Sequence, residues 1–188
     1  MDMKLATWNI RRMGTNVKLS AIGRLVRMHK IDMILIQETK KSAIKESEIR
    51  RCWGDDEFDF CFVESDGSSG GLLSVWDKGK FVAESKVLKS NFILVCGHWE
   101  MSNEKFSFIN IYAPCTAVKQ KELWNELSSR RINDNSIWIA AGDFNATMCR
   151  GERRGCRGSH KGSLDFKKFY GRLQFGGHAN DGENVHLL

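Results

Sequence analysis

Five polar residues in this chain stand at or just behind the ends of apolar runs: Asn9, Glu38, Tyr112, Asp143 and Asn145. A short apolar run bounded by a turn signal reads as a strand covered on both faces. A polar group at its end is held at the rim of a packed sheet, where open α/β folds carry their chemistry. Oxygen ligands without histidine suit a hard cation such as Mg²⁺, which takes one or two carboxylates and completes its shell with water and substrate phosphate. Metal-assisted phosphodiester cleavage fits the set. Glu38 would bind the cation with Asn9 nearby, Asp143 would orient or deprotonate the attacking water, Asn145 would hold the phosphate or that Asp, and Tyr112 would donate to the developing charge. Spacing alone leaves blander readings open: Gly142-Asp143 as a surface turn, Glu38 as a helix cap, Tyr112 as core.

The elements that must hold these groups follow from periodicity. Met3 to Trp8 reads as a strand. Val17 to His29 is a helix with Ile22, Leu25, Val26 and Met28 near helical spacing, and Ile31 to Ile36 is a second strand. A strand-helix-strand unit favours parallel pairing and an α/β fold. Ser42 to Trp53 is predicted helical with Ser42 as N-cap. The runs Phe58 to Val63, Leu72 to Trp76, Phe81 to Leu88, Phe92 to Glu100 and Phe106 to Tyr112 follow without an intervening helix and read as antiparallel hairpins. Gly67 to Gly71 lies between the first two as a turn, and as a phosphate cradle only weakly, since no helix follows it. Ala117 to Arg131 is an amphipathic helix with Leu123, Trp124 and Leu127 on one face. The Trp138 strand comes next, and Leu164 to Leu173 is a last helix. Beyond Phe175 neither period persists, so the predicted domain covers 1–175, with an irregular, frayed tail over 176–188.

Composition bounds the class. A hydrophobic fraction of 41% and a charged fraction of 28% suit one ordinary globular domain, and no linker, repeat or low-complexity tract divides it. No apolar run approaches a membrane span and the first residues are too mixed for a secretory signal, so an intracellular protein without a membrane is expected. The cysteines at 52, 61, 96, 115, 149 and 156 form no Cys-x-x-Cys pair and read as reduced, mostly buried thiols. Cys149, Cys156 and His160 match no common zinc spacing. The net charge of +6 is concentrated between Arg150 and Arg172, where eight Lys or Arg face only Glu152 and Asp165. Such a segment beside the Asp143 strand favours a polyanion lying over the site, and is equally a solvated loop.

Trp8-Asn9-Ile10-Arg11, Gln37-Glu38-Thr39-Lys40, Asn110-Ile111-Tyr112-Ala113-Pro114 and Gly142-Asp143-Phe144-Asn145 occur in one order. In that order and at about that spacing they resemble the motifs of the endonuclease/exonuclease/phosphatase superfamily. The resemblance covers nearly the whole chain up to about Leu173. It is strongest to the endonuclease domain of LINE-type, non-LTR retrotransposons, particularly plant ones, with Ser69-Gly70-Gly71-Leu72-Leu73 and Glu152-Arg153-Arg154-Gly155 as supporting details. It implies a four-layer α/β sandwich of two mixed β-sheets with outer helices. It also implies hydrolysis of phosphodiester or phosphomonoester bonds with Mg²⁺ or Mn²⁺ and, in the retrotransposon branch, nicking of target DNA. By resemblance Glu38 is the metal ligand with Asn9 as companion, Tyr112 touches phosphate, and Asp143 with Asn145 activates water and orients phosphate. DNA is expected to be gripped through its backbone, with Arg11, Arg150, Arg153, Arg154, Arg157 and Lys161 as contacts. A monomer and a nuclear destination are expected, although no targeting signal is visible.

Two departures qualify that expectation. The family follows Gly-Asp-Phe-Asn with an Arg-Ile-Asp motif and then a Ser-Asp-His motif, and this sequence contains neither. Asp181 and His186 are the only late candidates to replace the second. Arg12 stands where the family usually has Gly. The simplest account is a C-terminally truncated or frame-shifted copy, a fold incomplete at its C-terminus and weak or inactive as an enzyme. Rival expectations are an abasic-site endonuclease, a phosphatase of inositol lipids or RNA ends, a non-catalytic nucleic-acid-binding remnant, and a product that does not fold stably.

Overall fold

Strands β1 (Asp2–Asn9), β2 (Met33–Gln37), β3 (Phe58–Asp66), β4 (Ser69–Asp77) and β9 (Asn184–Leu187) form one sheet, ordered β3-β4-β2-β1-β9. Strands β5 (Phe81–Lys89), β6 (Phe92–Trp99), β7 (Lys105–Tyr112) and β8 (Ile137–Asp143) form a second, ordered β5-β6-β7-β8. The computed structural model describes residues 2–67, 69–102, 104–132, 134–145, 165–171 and 184–187. Both sheets are mixed: β1 runs parallel to β2 and β9, and β7 runs parallel to β8, while the remaining pairs are antiparallel.

Alternation along the strands sorts the side chains into three cores. On β2, Met33 and Leu35 face the second sheet while Ile34 and Ile36 face the helices, so the whole run is buried and reads as uniformly apolar. Helices α1 (Asn16–His29) and α2 (Glu46–Trp53) close the outer face of the first sheet through Leu19, Ile22, Val26, Ile49 and Trp53. Helix α3 (Ala117–Ile132) and the helical stretch 165–171 close the second through Leu123, Trp124, Leu127, Phe166 and Phe169. Between the sheets lie Leu5, Met33, Leu35, Trp76, Phe81, Ile93, Trp99 and Phe108. The architecture is the four-layer α/β sandwich. Among the described residues β8 is an edge strand, with β7 as its one strand neighbour.

Three expectations are corrected. Helix α2 begins at Glu46 rather than after Ser42, because the Glu48 carboxylate, three residues into the element, accepts from Lys45 N at 3.0 Å and closes the helix start there. The irregular tail contains β9, whose register pairs Asn184 with Asp2 and Leu187 with Leu5. Four residues are too few to show a period, and the free edge of β1 supplies the pairing. Of the cysteines, Cys52 and Cys61 are buried, but Cys115, just past the end of β7, is exposed.

Candidate active site

Parallel pairing places strand ends together. The registers end at Asn9 opposite Gln37 and at Tyr112 opposite Asp143, so the carboxyl ends of β1 and β2 meet those of β7 and β8 at one rim of the sandwich. Asn9 Nδ2 donates to Glu38 Oε1 at 2.9 Å and to Asp143 Oδ2 at 2.8 Å, so one amide bridges two carboxylates that come from different sheets. Its Oδ1 accepts from Arg11 N at 3.2 Å, which fixes which way the amide points. Asp143 Oδ1 accepts from Asn145 N at 3.0 Å, and its backbone carbonyl from Ala113 N at 2.8 Å. Asn145 turns its own amide to Ala113 O at 2.7 Å, and Gln120 of α3 donates to Asn145 O at 2.9 Å and Pro114 O at 2.8 Å. Asn145 thus secures both loops of the rim and positions Asp143 through its backbone. Burial, with the neighbouring charges of Glu38 and Asp143, raises the Tyr112 phenol above its ordinary range. It therefore stays a neutral O–H donor well above neutral pH.

Unusual backbone geometry concentrates at this rim. Glu38 (φ 54°), Lys40 (φ 52°), Asn145 (φ 47°), Arg11 (φ 52°) and Arg12 (φ 124°) all hold positive φ without being glycine. Such conformations persist only where surroundings over-determine them, and they cluster at functional sites. Gly142 (φ 138°) is required: a Cβ there would collide with the carbonyl of Ile111 on the paired strand. Gly71 is required for a second reason. Thr39 N and Lys40 N donate to Gly71 O and Gly70 O at 3.1 Å each, and a Cβ on Gly71 would strike the Thr39 hydroxyl. The glycine-rich stretch therefore seats the loop that carries Glu38.

Directly beneath the rim, two amides cross the apolar layer. Asn110 of β7, 0% exposed, accepts from Gln37 Nε2 at 2.7 Å and donates to Ile36 O at 3.2 Å, Leu73 O at 3.0 Å and Ser74 Oγ at 3.3 Å. Gln37 also donates to Leu35 O and Thr7 Oγ1, each at 3.1 Å. Sequence reading assigned neither residue a role, though an amide inside Phe-Ile-Asn-Ile-Tyr and one ending Met-Ile-Leu-Ile-Gln are the signal: apolar runs bury a polar group only when partners await it.

The donor set fits a hard divalent cation. Two carboxylates share one small rim, and among the described residues no group of three His, Cys, Asp or Glu gathers anywhere. A cation that keeps several waters needs no more. Glu38, its side chain 18% exposed, and Asp143 are the residues that would hold or face it, with Lys40 Nζ 3.5 Å from Glu38 Oε2.

Arg11 follows the cluster in the β1–α1 loop. Arg150, Arg153, Arg154, Arg157 and Lys161 lie outside the described residues, as does Asp181. His186 is set by the β9 register opposite Lys4, roughly 16 Å along β1 from Asn9 at ~3.3 Å per residue. That distance corrects its candidacy as the counterpart of the Ser-Asp-His histidine that the resemblance implies.

The model of the Endonuclease/Exonuclease/phosphatase family matches residues 6–181. No curated protein matches the sequence. Among solved structures, the AP endonuclease from Archaeoglobus fulgidus aligns with TM-score 0.68 and 15% identity over 89% of this chain and 69% of that one. The AP endonuclease LMAP from Leishmania major aligns with TM-score 0.62 and 15% identity over 89% of this chain, which spans 65% of that structure. The catalytic domain of Xenopus laevis APE2 aligns with TM-score 0.60 and 15% identity, covering 87% and 66%. At such identities the likeness speaks for the fold.

Proposed function

The chain belongs to the endonuclease/exonuclease/phosphatase family, and from that premise we propose that it is the DNA-nicking endonuclease domain of a LINE-type retrotransposon, weak or inactive as this polypeptide. The observation that carries a hydrolytic site is the Asn9 amide bridging Glu38 and Asp143. Glu38, its carboxylate steadied by the Asn9 amide as companion, would hold a Mg²⁺ or Mn²⁺ ion, and that ion would supply neutralisation of charge on the scissile phosphate. Asp143, oriented by Asn145 N and Asn9 Nδ2, takes a proton from the attacking water. Tyr112, kept neutral by its surroundings, donates its O–H to the phosphate as charge develops. Neither the Arg-Ile-Asp nor the Ser-Asp-His motif is present, and losing one member of a group that acts together typically costs orders of magnitude in rate.

The finer assignment rests on Glu152-Arg153-Arg154-Gly155 and the surrounding basic segment, which suit undamaged DNA held by its backbone. An abasic-site endonuclease is the second reading, favoured by the AP endonucleases among the structural relatives. A nuclear location follows from either reading as a proposal.

The test is relaxation of supercoiled plasmid by purified protein with and without Mg²⁺, beside Asp143→Ala and Glu38→Ala and a duplex carrying one abasic site. Slow nicking of undamaged plasmid that needs the cation and both carboxylates supports the proposal. Cleavage confined to the abasic duplex would transfer the assignment to the second reading, and nicking unchanged in both variants would refute the site.

A further inference from the structure

The loop between β1 and α1 carries a feature the carboxylate cluster does not use. Arg12 holds φ 124°, where only glycine sits without penalty. The loop is pinned there from several sides: Lys18 Nζ donates to Ile10 O at 3.0 Å and Arg12 O at 3.1 Å, Met13 N donates to Thr39 O at 2.8 Å, and the Met13 side chain is fully buried. The stem of Arg12 packs over Gly14, its Cγ 3.5 Å from where a Cβ would stand.

This loop and the Glu38 loop line an open cleft of about 460 Å³ bordered by Arg12, Met13, Gly14, Thr15, Lys40 and Lys41. Among the described residues its lining holds three cations and no acid. Lys41 is paired with Glu48 at 2.7 Å and Lys40 with Glu38 at 3.5 Å, whereas Arg12 has no carboxylate within ion-pairing distance among the described residues. Thr15, the N-cap of α1, opens the positive end of that helix onto the same space, and the first turn carries no acidic residue. Backbone strain and an unmatched guanidinium coincide at one residue, beside a site read as acting on phosphodiesters.

We propose that this cleft is an anion subsite for a phosphodiester of the nucleic-acid backbone next to the one at the carboxylates, and that Arg12 is its principal contact. The inference rests on the nucleic-acid reading of the neighbouring site. It requires that Arg12 lower stability while raising affinity, so that glycine at this position moves the two in opposite directions.

The experiment measures binding of a labelled duplex across a salt series, together with melting temperature, in the full chain carrying Asp143→Ala to silence cleavage. Arg12→Ala and Arg12→Gly each weaken binding roughly tenfold and lower the slope of log K against log salt by about 1, equally on two duplexes of unrelated sequence. Arg12→Gly alone melts higher than its parent, and Lys41→Ala weakens binding in the same sequence-independent way. Unchanged affinity and slope in Arg12→Ala, with the parent still binding, would overturn the subsite and leave the function standing, as would loss restricted to one sequence. A parent that binds neither duplex would overturn both.

Discussion

The two ends of the layer between the sheets are built differently. Away from the active rim, Phe81 stands edge-on to Phe108 with centroids 5.1 Å apart and packs against Trp76 and Trp99 at 6.1 Å each. Beneath the rim, the contact is polar, through the Gln37–Asn110 bridge. Apolar rings supply stability but tolerate small slides, because burial is non-directional. Hydrogen bonds with fixed donors and acceptors set the offset of one sheet against the other. An offset is what the site needs, since Glu38 and Asn9 ride on one sheet and Asp143 and Tyr112 on the other. Stability and register are therefore assigned to opposite ends of the same core.

The contrast can be broken most forcefully at the aromatic end. Phe81→Ala is expected to lower unfolding free energy by about 3–5 kcal/mol, measured by denaturant titration, with Mn²⁺ affinity of the folded fraction little changed. A large fall in that affinity would mean the rings set register too. Asn110→Leu is expected to cost less, about 1–3 kcal/mol from the stranded Gln37 amide, and to weaken Mn²⁺ binding read by electron paramagnetic resonance. Gln37→Leu with Asn110→Leu should recover stability without recovering Mn²⁺ affinity. Recovery of both would reduce the bridge to ordinary packing.

A smaller effect belongs to the far rim, where Asp134 accepts from Trp138 Nε1 at 2.7 Å, Ser136 N at 2.8 Å and Ser107 Oγ at 3.0 Å. Burial alone would raise this carboxyl, but these donors outweigh it and hold it below the usual range. A folded-state value below the unfolded one means stability present above the unfolded value of about 4 and lost as pH falls through the folded one. Asp134→Asn should therefore flatten the acid limb of melting temperature against pH. An unaltered acid limb would show that the network is not what acid breaks. The smallest signal is chemical: burial pushes the thiols of Cys52 and Cys61 up to about 12, while Cys115 is exposed. Among the described cysteines, alkylation at neutral pH should reach Cys115 first and leave Cys52 and Cys61 unmodified until the chain unfolds; early labelling of Cys61 would show an opening sandwich.

Strands β1 to β8, helices α1 and α3, and the polar groups at the strand ends were legible in the chain itself, because residue type and a period of 2 or 3.6 are local properties. Gly142-Asp143 behind an apolar run announced a rim before any pairing was known. What the chain could not announce depends on residues far apart in it. The Asn9 amide reaches Asp143 across a separation of 134 residues, and Asn110 meets Gln37 across 73. The short β9 edge, the late start of α2, the positive φ of Glu38 and the strained Arg12 were likewise invisible. Each is held by partners from another element, and hydrogen bonds and backbone strain are decided by where those partners stand, which only the packed sheets determine.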